Sequence, residues 1–95
     1  MSIRSWKSPQ AKAIFEGRDP GKGFPADLVR AARRRLQALD AAVALEDLRT
    51  PPSNRLHQLG GERAGRWSIR VNDQFRLCFT WTDGGADDVE FVDYH

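Results

Sequence analysis

The chain has 95 residues, a 40% hydrophobic fraction and a single cysteine, Cys78, which together predict one small domain over residues 1–95 and exclude an internal disulfide. All fifteen basic residues lie in residues 1–76 against eight acids, whereas residues 83–95 carry five acids and no base, so the net charge of +2 hides a strong asymmetry. With no apolar run near the ~18 residues of a membrane span and no apolar segment at the N-terminus, we expect a cytoplasmic protein with no membrane partner.

The first half of the chain predicts helices. Residues 3–6 alternate in polarity and predict a short strand, and Ser8-Pro9 predicts an N-cap with Pro at the first helical position, in a helix that ends before Gly17. Residues 18–23 predict a loop, and a longer helix is predicted from Pro25. The apolar residues of that helix recur at helical spacing and predict its buried face: Leu28, Ala32, Leu36, Leu39 and Val43.

The polar side of the longer helix carries Arg30, Arg33 and Arg34. Arginine is common on the solvated side of an amphipathic helix. A cluster of arginines is also suited to binding a phosphate backbone. The charge pattern alone leaves both interpretations open.

The second half of the chain predicts a small sheet. Residues 67–71 and 75–81 alternate with a period of two, and Asn72-Asp73-Gln74 joins them, which predicts a hairpin. Asp83-Gly84-Gly85 predicts a second turn and Val89 to Tyr94 a third strand. The predicted class is therefore α+β, with two N-terminal helices packed on one face of a small, mostly antiparallel sheet.

Candidate catalytic residues stand at the end of the sequence, where Asp93, Tyr94 and His95 are consecutive, and at His57, the other histidine. Neighbouring residues of a strand point to opposite faces, so packing alone seldom explains three polar residues in a row. Imidazole suits proton transfer near neutral pH. Taken alone, however, a histidine in such a segment is more often a surface or structural residue than a catalytic one.

Arg76 occupies a polar position in a strand rich in aromatic residues, and Cys78 shares its predicted face. A half-covered guanidinium there suits a phosphate, although a cross-strand pair with an acid such as Glu90 is the alternative. One cysteine and two histidines do not make a structural zinc site, and Ser68 has no triad partners at a meaningful spacing. We expect no metal and no cofactor.

Four groups of residues carry a resemblance to a known family. They are Arg55-Leu56-His57-x-Leu59-x-Gly61, then Gly65-x-Trp67-Ser68-Ile69-x-Val71-Asn72, then Arg76, Phe79 and Asp83-Gly84, and finally Val92-Asp93-Tyr94-His95. In this combination and spacing the chain resembles the HigB-type toxins of the RelE/ParE superfamily, which belong to type II toxin–antitoxin systems. The resemblance is strong over residues 54–95, and the helical half agrees with it in order and length.

The resemblance implies a RelE-like fold and a toxin that enters the ribosomal A site and cleaves translated mRNA without a metal. It also implies a HigA-like helix-turn-helix antitoxin that neutralises the toxin and alone contacts the operator DNA. The family's functional residues fall on His57, Arg76, Asp93, Tyr94 and His95. As RNA-binding candidates we add the arginines Arg30, Arg33, Arg34, Arg55 and Arg70.

One departure from the family concerns Gly60, where many relatives have lysine, so one possible phosphate contact is missing. A weakly active or non-catalytic toxin is therefore an alternative, either acting on a topoisomerase as ParE-like members do or only binding RNA or the ribosome. The matched proton carriers His57 and His95 argue against a protein that only binds.

Overall fold

The computed structural model describes residues 1–60 and 65–93; residues 61–64, Tyr94 and His95 lie outside the described part. Within the described residues, two α-helices precede four strands, with short 3₁₀ helices between them. The elements are α1 (Pro9–Phe15), α2 (Val29–Ala41), β1 (His57–Gln58), β2 (Arg66–Arg70), β3 (Phe75–Thr82) and β4 (Gly85–Asp93). The strands form one sheet in the order β1-β2-β3-β4, and every pair is antiparallel.

Helix α1 begins as the sequence predicts. The hydroxyl of Ser8 accepts a hydrogen bond from the backbone N–H of Ala11 at 3.3 Å, and Pro9 is the first helical residue. The helix ends at Phe15, just before Gly17, which has a φ of +78°. The buried side of α1 consists of Ala11, Ala13 and Ile14.

Helix α2 presents Ala32, Leu36 and Leu39 to the core, and all three are fully buried. Two parts of its prediction were wrong. The residues before α2 form a 3₁₀ helix (Ala26–Leu28) instead of a regular first turn, and α2 ends at Ala41, so Val43 lies beyond the helix and is 81% exposed. Once the helix ends, its periodicity no longer determines which face a side chain occupies.

The β2–β3 hairpin confirms the strongest strand prediction. The side-chain carbonyl of Asn72 accepts from the backbone N–H groups of Gln74 (2.9 Å) and Phe75 (2.7 Å), which closes the turn. Strand β4 begins at Gly85, four residues earlier than predicted, and its pairing with β3 is irregular between Cys78 and Thr80. The two-residue strand β1 was not predicted.

The N-terminal segment does not form the predicted strand. Ile3 and Trp6 instead make isolated parallel bridges to Ala86 and Val89 of β4. This segment covers the outer edge of β4, which would otherwise expose unpaired backbone groups.

The core lies between the helices and one face of the sheet, where Leu77, Phe79 and Val89 are fully buried with Ile14 and Leu36. The α+β class and the antiparallel sheet are confirmed. The prediction of two packed helices is met in part, because α1 has only seven residues whereas α2 has thirteen. Across residues 1–60 and 65–93, neither helix combines the length and the apolar character needed to traverse a bilayer.

Candidate active site

A surface cleft of about 390 Å³ lies on the face of the sheet opposite the helices and is lined by Arg55, Leu56, His57 and Arg76. Three of these residues are consecutive and lead into the edge strand β1. Arg76 reaches the cleft from the central strand β3. The structure thus brings together two of the predicted catalytic residues, His57 and Arg76, and one predicted RNA-binding residue, Arg55.

The wall of the cleft that contains Arg55 is fixed by Asn54. The Asn54 side chain is 1% exposed, and its amide donates to the carbonyl oxygens of Leu48 (3.2 Å) and Thr50 (3.3 Å). The next residue, Arg55, has a φ of +47°, a left-handed conformation that few non-glycine residues adopt. Arg55 caps the 3₁₀ helix Pro52–Asn54, its N–H donating to the carbonyl of Pro52 at 3.1 Å. The chain therefore turns sharply just before His57.

Arg76 is positioned by two hydrogen bonds from its guanidinium. Nε donates to the hydroxyl of Ser68 at 2.8 Å, and Nη2 donates to the carbonyl oxygen of Arg55 at 2.9 Å. Because Ser68 is fully buried, its hydroxyl holds the Arg76 side chain in a defined position. Because the guanidinium is planar, these two contacts fix the plane in which Arg76 can meet an anion.

His57 and Arg76 are placed on the same face by the strand register. His57 lies directly opposite Ser68, and Ser68 lies directly opposite Cys78, so these three residues share one face of the sheet. Arg76 is two positions from Cys78 along β3 and therefore points to the same side. The imidazole of His57 is exposed to solvent, while Arg76 is half-buried.

Glu90, the acid considered as an alternative partner for Arg76, is engaged elsewhere. Its carboxylate accepts from Arg66 at 2.9 Å and lies 3.6 Å from Lys7. The Arg66 side chain is only 15% exposed, so this ion pair is a structural part of the sheet surface. The Arg66–Glu90 pair joins strands β2 and β4 and does not line the cleft.

Asp93 is the last described residue and ends β4. It lies opposite Phe75, and its carboxylate accepts from the side-chain amide of Gln74 at 3.2 Å. The preceding residue, Val92, lies opposite Arg76, so the backbone of Asp93 is close to Arg76 whereas its side chain starts on the other face of the strand. The predictions for Tyr94 and His95 fall on residues outside the described part.

The five predicted RNA-binding arginines do not form one surface. Arg30 and Arg34 are exposed on α2, while Arg33 donates from Nε to the carbonyl of Ile14 at 2.9 Å and so ties α2 to α1. Arg55 is exposed beside the cleft. Arg70 is half-buried at the end of β2 and forms an ion pair with Asp73.

Arg35 was missed by the sequence analysis. Its Nε donates to the carbonyl oxygen of Arg70 at 3.0 Å, and burial, followed by the charges of Arg34 and Arg70, lowers the pKa of Arg35. The signal was present in the sequence, because Arg35 precedes Leu39 by four residues and so borders the apolar side of α2.

Metal ligands do not converge within the described ranges. No three His, Cys, Asp or Glu side chains of residues 1–60 and 65–93 lie close enough together to hold a metal ion. The side chains at the cleft instead offer a proton carrier and planar cations, which are groups that suit a phosphate.

The chain is similar to known proteins of one family. The family model of HigB-like toxins, described as the RelE-like toxin of the type II toxin–antitoxin system HigB, matches residues 4–95. Toxin HigB-1 of Vibrio cholerae serotype O1 is 52% identical over 81 residues, which cover 85% of each chain. Endoribonuclease HigB of Proteus vulgaris is 37% identical over 93 residues, or 98% of this chain and 99% of that protein.

Solved structures show the same fold at low identity. The YoeB–YefM complex from Staphylococcus aureus aligns with a TM-score of 0.61 at 19% identity, over 100% of this chain and 99% of the matched one. YafQ from Escherichia coli aligns with a TM-score of 0.60 at 14% identity, over 96% and 90%. Since the family model spans nearly the whole sequence, the chain belongs to the HigB-like toxins, the RelE-like toxins of type II toxin–antitoxin systems.

Proposed function

We propose that this toxin is an endoribonuclease that cleaves translated mRNA in the ribosomal A site. The observation that carries the proposal is the shared cleft, where His57 lies beside an Arg76 guanidinium held by Ser68 and by the carbonyl of Arg55. The similarity to Endoribonuclease HigB over 98% of the chain supports the same conclusion.

The reaction needs few groups, because RNA carries its own nucleophile. The 2′-oxygen attacks the adjacent phosphorus, its proton passes to a base, and the bond from phosphorus to the 5′-oxygen breaks as that oxygen gains a proton. The products are a 2′,3′-cyclic phosphate and a 5′-hydroxyl. General acid–base assistance contributes about 10²–10⁴-fold, and one well-placed charge donor about 10²–10³-fold.

We assign His57 and His95 to the two proton transfers, with Asp93 as a further candidate base. Arg76 stabilises the additional negative charge that the phosphate carries in the transition state. Tyr94 stacks on a base or holds a nonbridging oxygen, as aromatic side chains often do with single-stranded RNA. No metal or cofactor enters this scheme.

The arginines extend the binding surface beyond the cleft. Arg55 lies in the cleft and Arg70 lies opposite Arg76, which supports assigning both to phosphates next to the scissile one. Arg30 and Arg34 are exposed on α2 and are suited to further RNA phosphates. Arg33 uses Nε to hold α1, so we assign it only a supporting part in RNA binding.

Membership of a type II toxin–antitoxin system implies an antitoxin partner. We propose that this partner is a HigA-like antitoxin with a helix-turn-helix domain. The toxin is attached to operator DNA only through this antitoxin. The solved complex of the neighbour YoeB with YefM is consistent with a paired arrangement. Residues 1–95 act as a single toxin domain, in the cytoplasm where translating ribosomes are found.

Translating ribosomes test the proposal. Purified toxin is added to an in vitro translation reaction, and mRNA 5′ ends are mapped. We expect cuts within A-site codons with the wild type and a loss of about 10²-fold or more with His57→Ala. Gln58→Ala is the matched control, because Gln58 occupies the same exposed strand but the opposite face.

The alternative is a toxin that binds without cutting, and the missing lysine at Gly60 favours it. Intact mRNA with wild-type toxin, accompanied by salt-dependent ribosome binding, would establish that alternative. Equal cleavage by wild type and His57→Ala would instead leave the enzyme in place and reject the cleft as its active site.

A further inference from the structure

Two arginines of the β2–β3 hairpin lie directly opposite each other. Arg70 of β2 pairs in register with Arg76 of β3, so both side chains start on the same face. The Cα atoms of such pairs are separated by about 4.5–5.5 Å, and like charges in this arrangement repel. The sheet therefore starts a second arginine side chain directly opposite Arg76, a residue that lines the cleft.

A third guanidinium, from the helix layer, reaches the main chain of Arg70. Arg35 of α2 donates from Nε to the carbonyl of Arg70 at 3.0 Å. That carbonyl is accessible because β1 pairs only with Trp67 and Ser68, which leaves the end of β2 uncovered by β1. The positive charges of Arg34 and Arg70 both act on Arg35 and lower its pKa, after the larger effect of burial. We refer to Arg34, Arg35 and Arg70 as the arginine cluster.

An acid of the chain itself occupies part of this cluster. Asp73 forms an ion pair with Arg70, yet the Asp73 side chain is 97% exposed whereas that of Arg70 is 30% exposed. The turn that contains Asp73 is closed by the side chain of Asn72, so the carboxylate of Asp73 is not needed for the hairpin. Ion pairs with an exposed partner contribute little net stability, so an incoming anion can replace the carboxylate.

We propose that the arginine cluster binds an RNA phosphate adjacent to the one held at Arg76, and that Asp73 competes with this phosphate for Arg70. The proposal takes RNA as the ligand from the proposed function. It adds a second phosphate site and a residue of the toxin that weakens RNA binding by occupying that site. Removing an arginine of the cluster should weaken RNA binding, whereas removing the carboxylate of Asp73 should strengthen it.

The test measures binding of a 2′-O-methyl single-stranded RNA, which cannot be cleaved by 2′-oxygen attack. Arg35→Gln and Arg70→Gln should weaken binding, and each should reduce the slope of log K against log salt by about 0.7 if one phosphate contact is lost. Asp73→Asn should strengthen binding about two- to five-fold. Arg18→Gln, which removes an exposed arginine paired with Glu16, is the control for the first two variants.

Asp83→Asn is the matched control for Asp73→Asn. Asp83 is also exposed in a turn, but it lies at the other end of β3, ten residues and about 30 Å away. Asparagine tolerates the left-handed conformation found at Asp83, where φ is +49°. The charge change is identical, so a long-range effect of net charge would appear equally in both variants.

A double variant isolates the local competition. In the Arg70→Gln background, Asp73→Asn should leave RNA affinity unchanged, because the competed cation is already absent. Equal affinity of wild type and Asp73→Asn, or an equal gain with Asp83→Asn, would overturn the proposal. The Asp73 variants keep the test decisive even if Arg35→Gln unfolds the protein.

Failure of this proposal and failure of the proposed function give different results. If the wild-type toxin cuts mRNA and the Asp73→Asn variant binds RNA no more tightly than wild type, the toxin lacks the second site and retains the nuclease. If the wild-type toxin cuts no mRNA and Asp73→Asn still tightens RNA binding, the toxin has the second site without the nuclease.

Discussion

Arg76 donates a hydrogen bond from Nη2 to the main-chain carbonyl of Arg55, twenty-one residues earlier in the chain, at 2.9 Å. The same guanidinium donates from Nε to Ser68. One side chain thus joins the turn that precedes His57 to the middle of the sheet. It shapes the cleft and contributes positive charge to it at the same time.

Replacing Arg76 with lysine should therefore not preserve function. A lysine keeps the charge, but its single nitrogen cannot reproduce the planar fork that meets both Ser68 and the Arg55 carbonyl. We expect Arg76→Lys to lower ribosome-dependent mRNA cleavage by about 10²-fold, close to the loss caused by Arg76→Ala. Arg18→Lys serves as the control. Wild-type cleavage rates with Arg76→Lys would show that charge alone is sufficient at this position.

The Gly60→Lys variant should increase activity. A Cβ at Gly60 would meet no atom within 4 Å, so a side chain can start there without a clash. The new cation, two residues beyond Gln58 of β1, should raise cleavage at low salt about two- to five-fold. Gly60→Gln is the matched control, since it makes the same backbone change without charge. Identical cleavage by the lysine and glutamine variants would exclude a phosphate contact there.

Asn54 should stabilise the fold and the cleft together. Asn54→Ala removes the donors that satisfy the carbonyls of Leu48 and Thr50, and the bond to Leu48 is buried away from water. We expect a loss of about 1–3 kcal/mol in the free energy of unfolding, measured in urea. Ser53→Ala, at the exposed neighbouring position, should stay within about 0.5 kcal/mol of wild type. A similar small change with Asn54→Ala would contradict the assigned role.

Because of Asp47, the stability of the folded protein should depend on pH in the acid range. Hydrogen bonds from the backbone N–H groups of Val43 and Ala44 lower the pKa of Asp47 below its ordinary value of 3.8. Because the pKa of Asp47 is lowered in the folded protein, its ionised carboxylate gives its full stabilisation at pH values above the ordinary pKa. This stabilisation is lost as the pH falls through the lowered pKa of the folded protein.

Asp47→Asn should consequently be less stable than wild type at neutral pH, and the difference should shrink as the pH falls below 3.8. Thermal unfolding across a pH series measures this. Glu46→Gln, at the exposed adjacent residue, controls for the loss of one negative charge. A stability difference for Asp47→Asn that stays constant with pH would contradict the assignment.

Local signals in the sequence predicted most of the elements. The Ser8 cap, the apolar positions of α2 and the Asn72 turn depend on neighbours within a few residues, and all three are observed. Val43 was misplaced because helical periodicity contains no information on where a helix ends unless a cap marks it. Strand β1 was missed because two residues are too few to show alternation, and it exists only through its pairing with β2.

The candidate site shows the same division between local and long-range information. The sequence identified His57 and Arg76 individually, but their common face depends on the register that sets His57 opposite Ser68. The bond from Arg76 to the Arg55 carbonyl requires a left-handed residue that no local pattern marked. The position of Arg35 beside the apolar side of α2 is visible in the sequence, but its bond to a carbonyl in β2, thirty-five residues away, is not.

The most direct test of the account uses an mRNA with a single 2′-deoxy nucleotide, placed so that the attacking 2′-oxygen is missing in the A-site codon of a stalled ribosome. The account predicts rapid cleavage of the all-ribose mRNA and no cleavage at the substituted linkage. Cleavage of both mRNAs at the same rate would contradict attack by the 2′-oxygen and the chemistry assigned to His57 and Arg76.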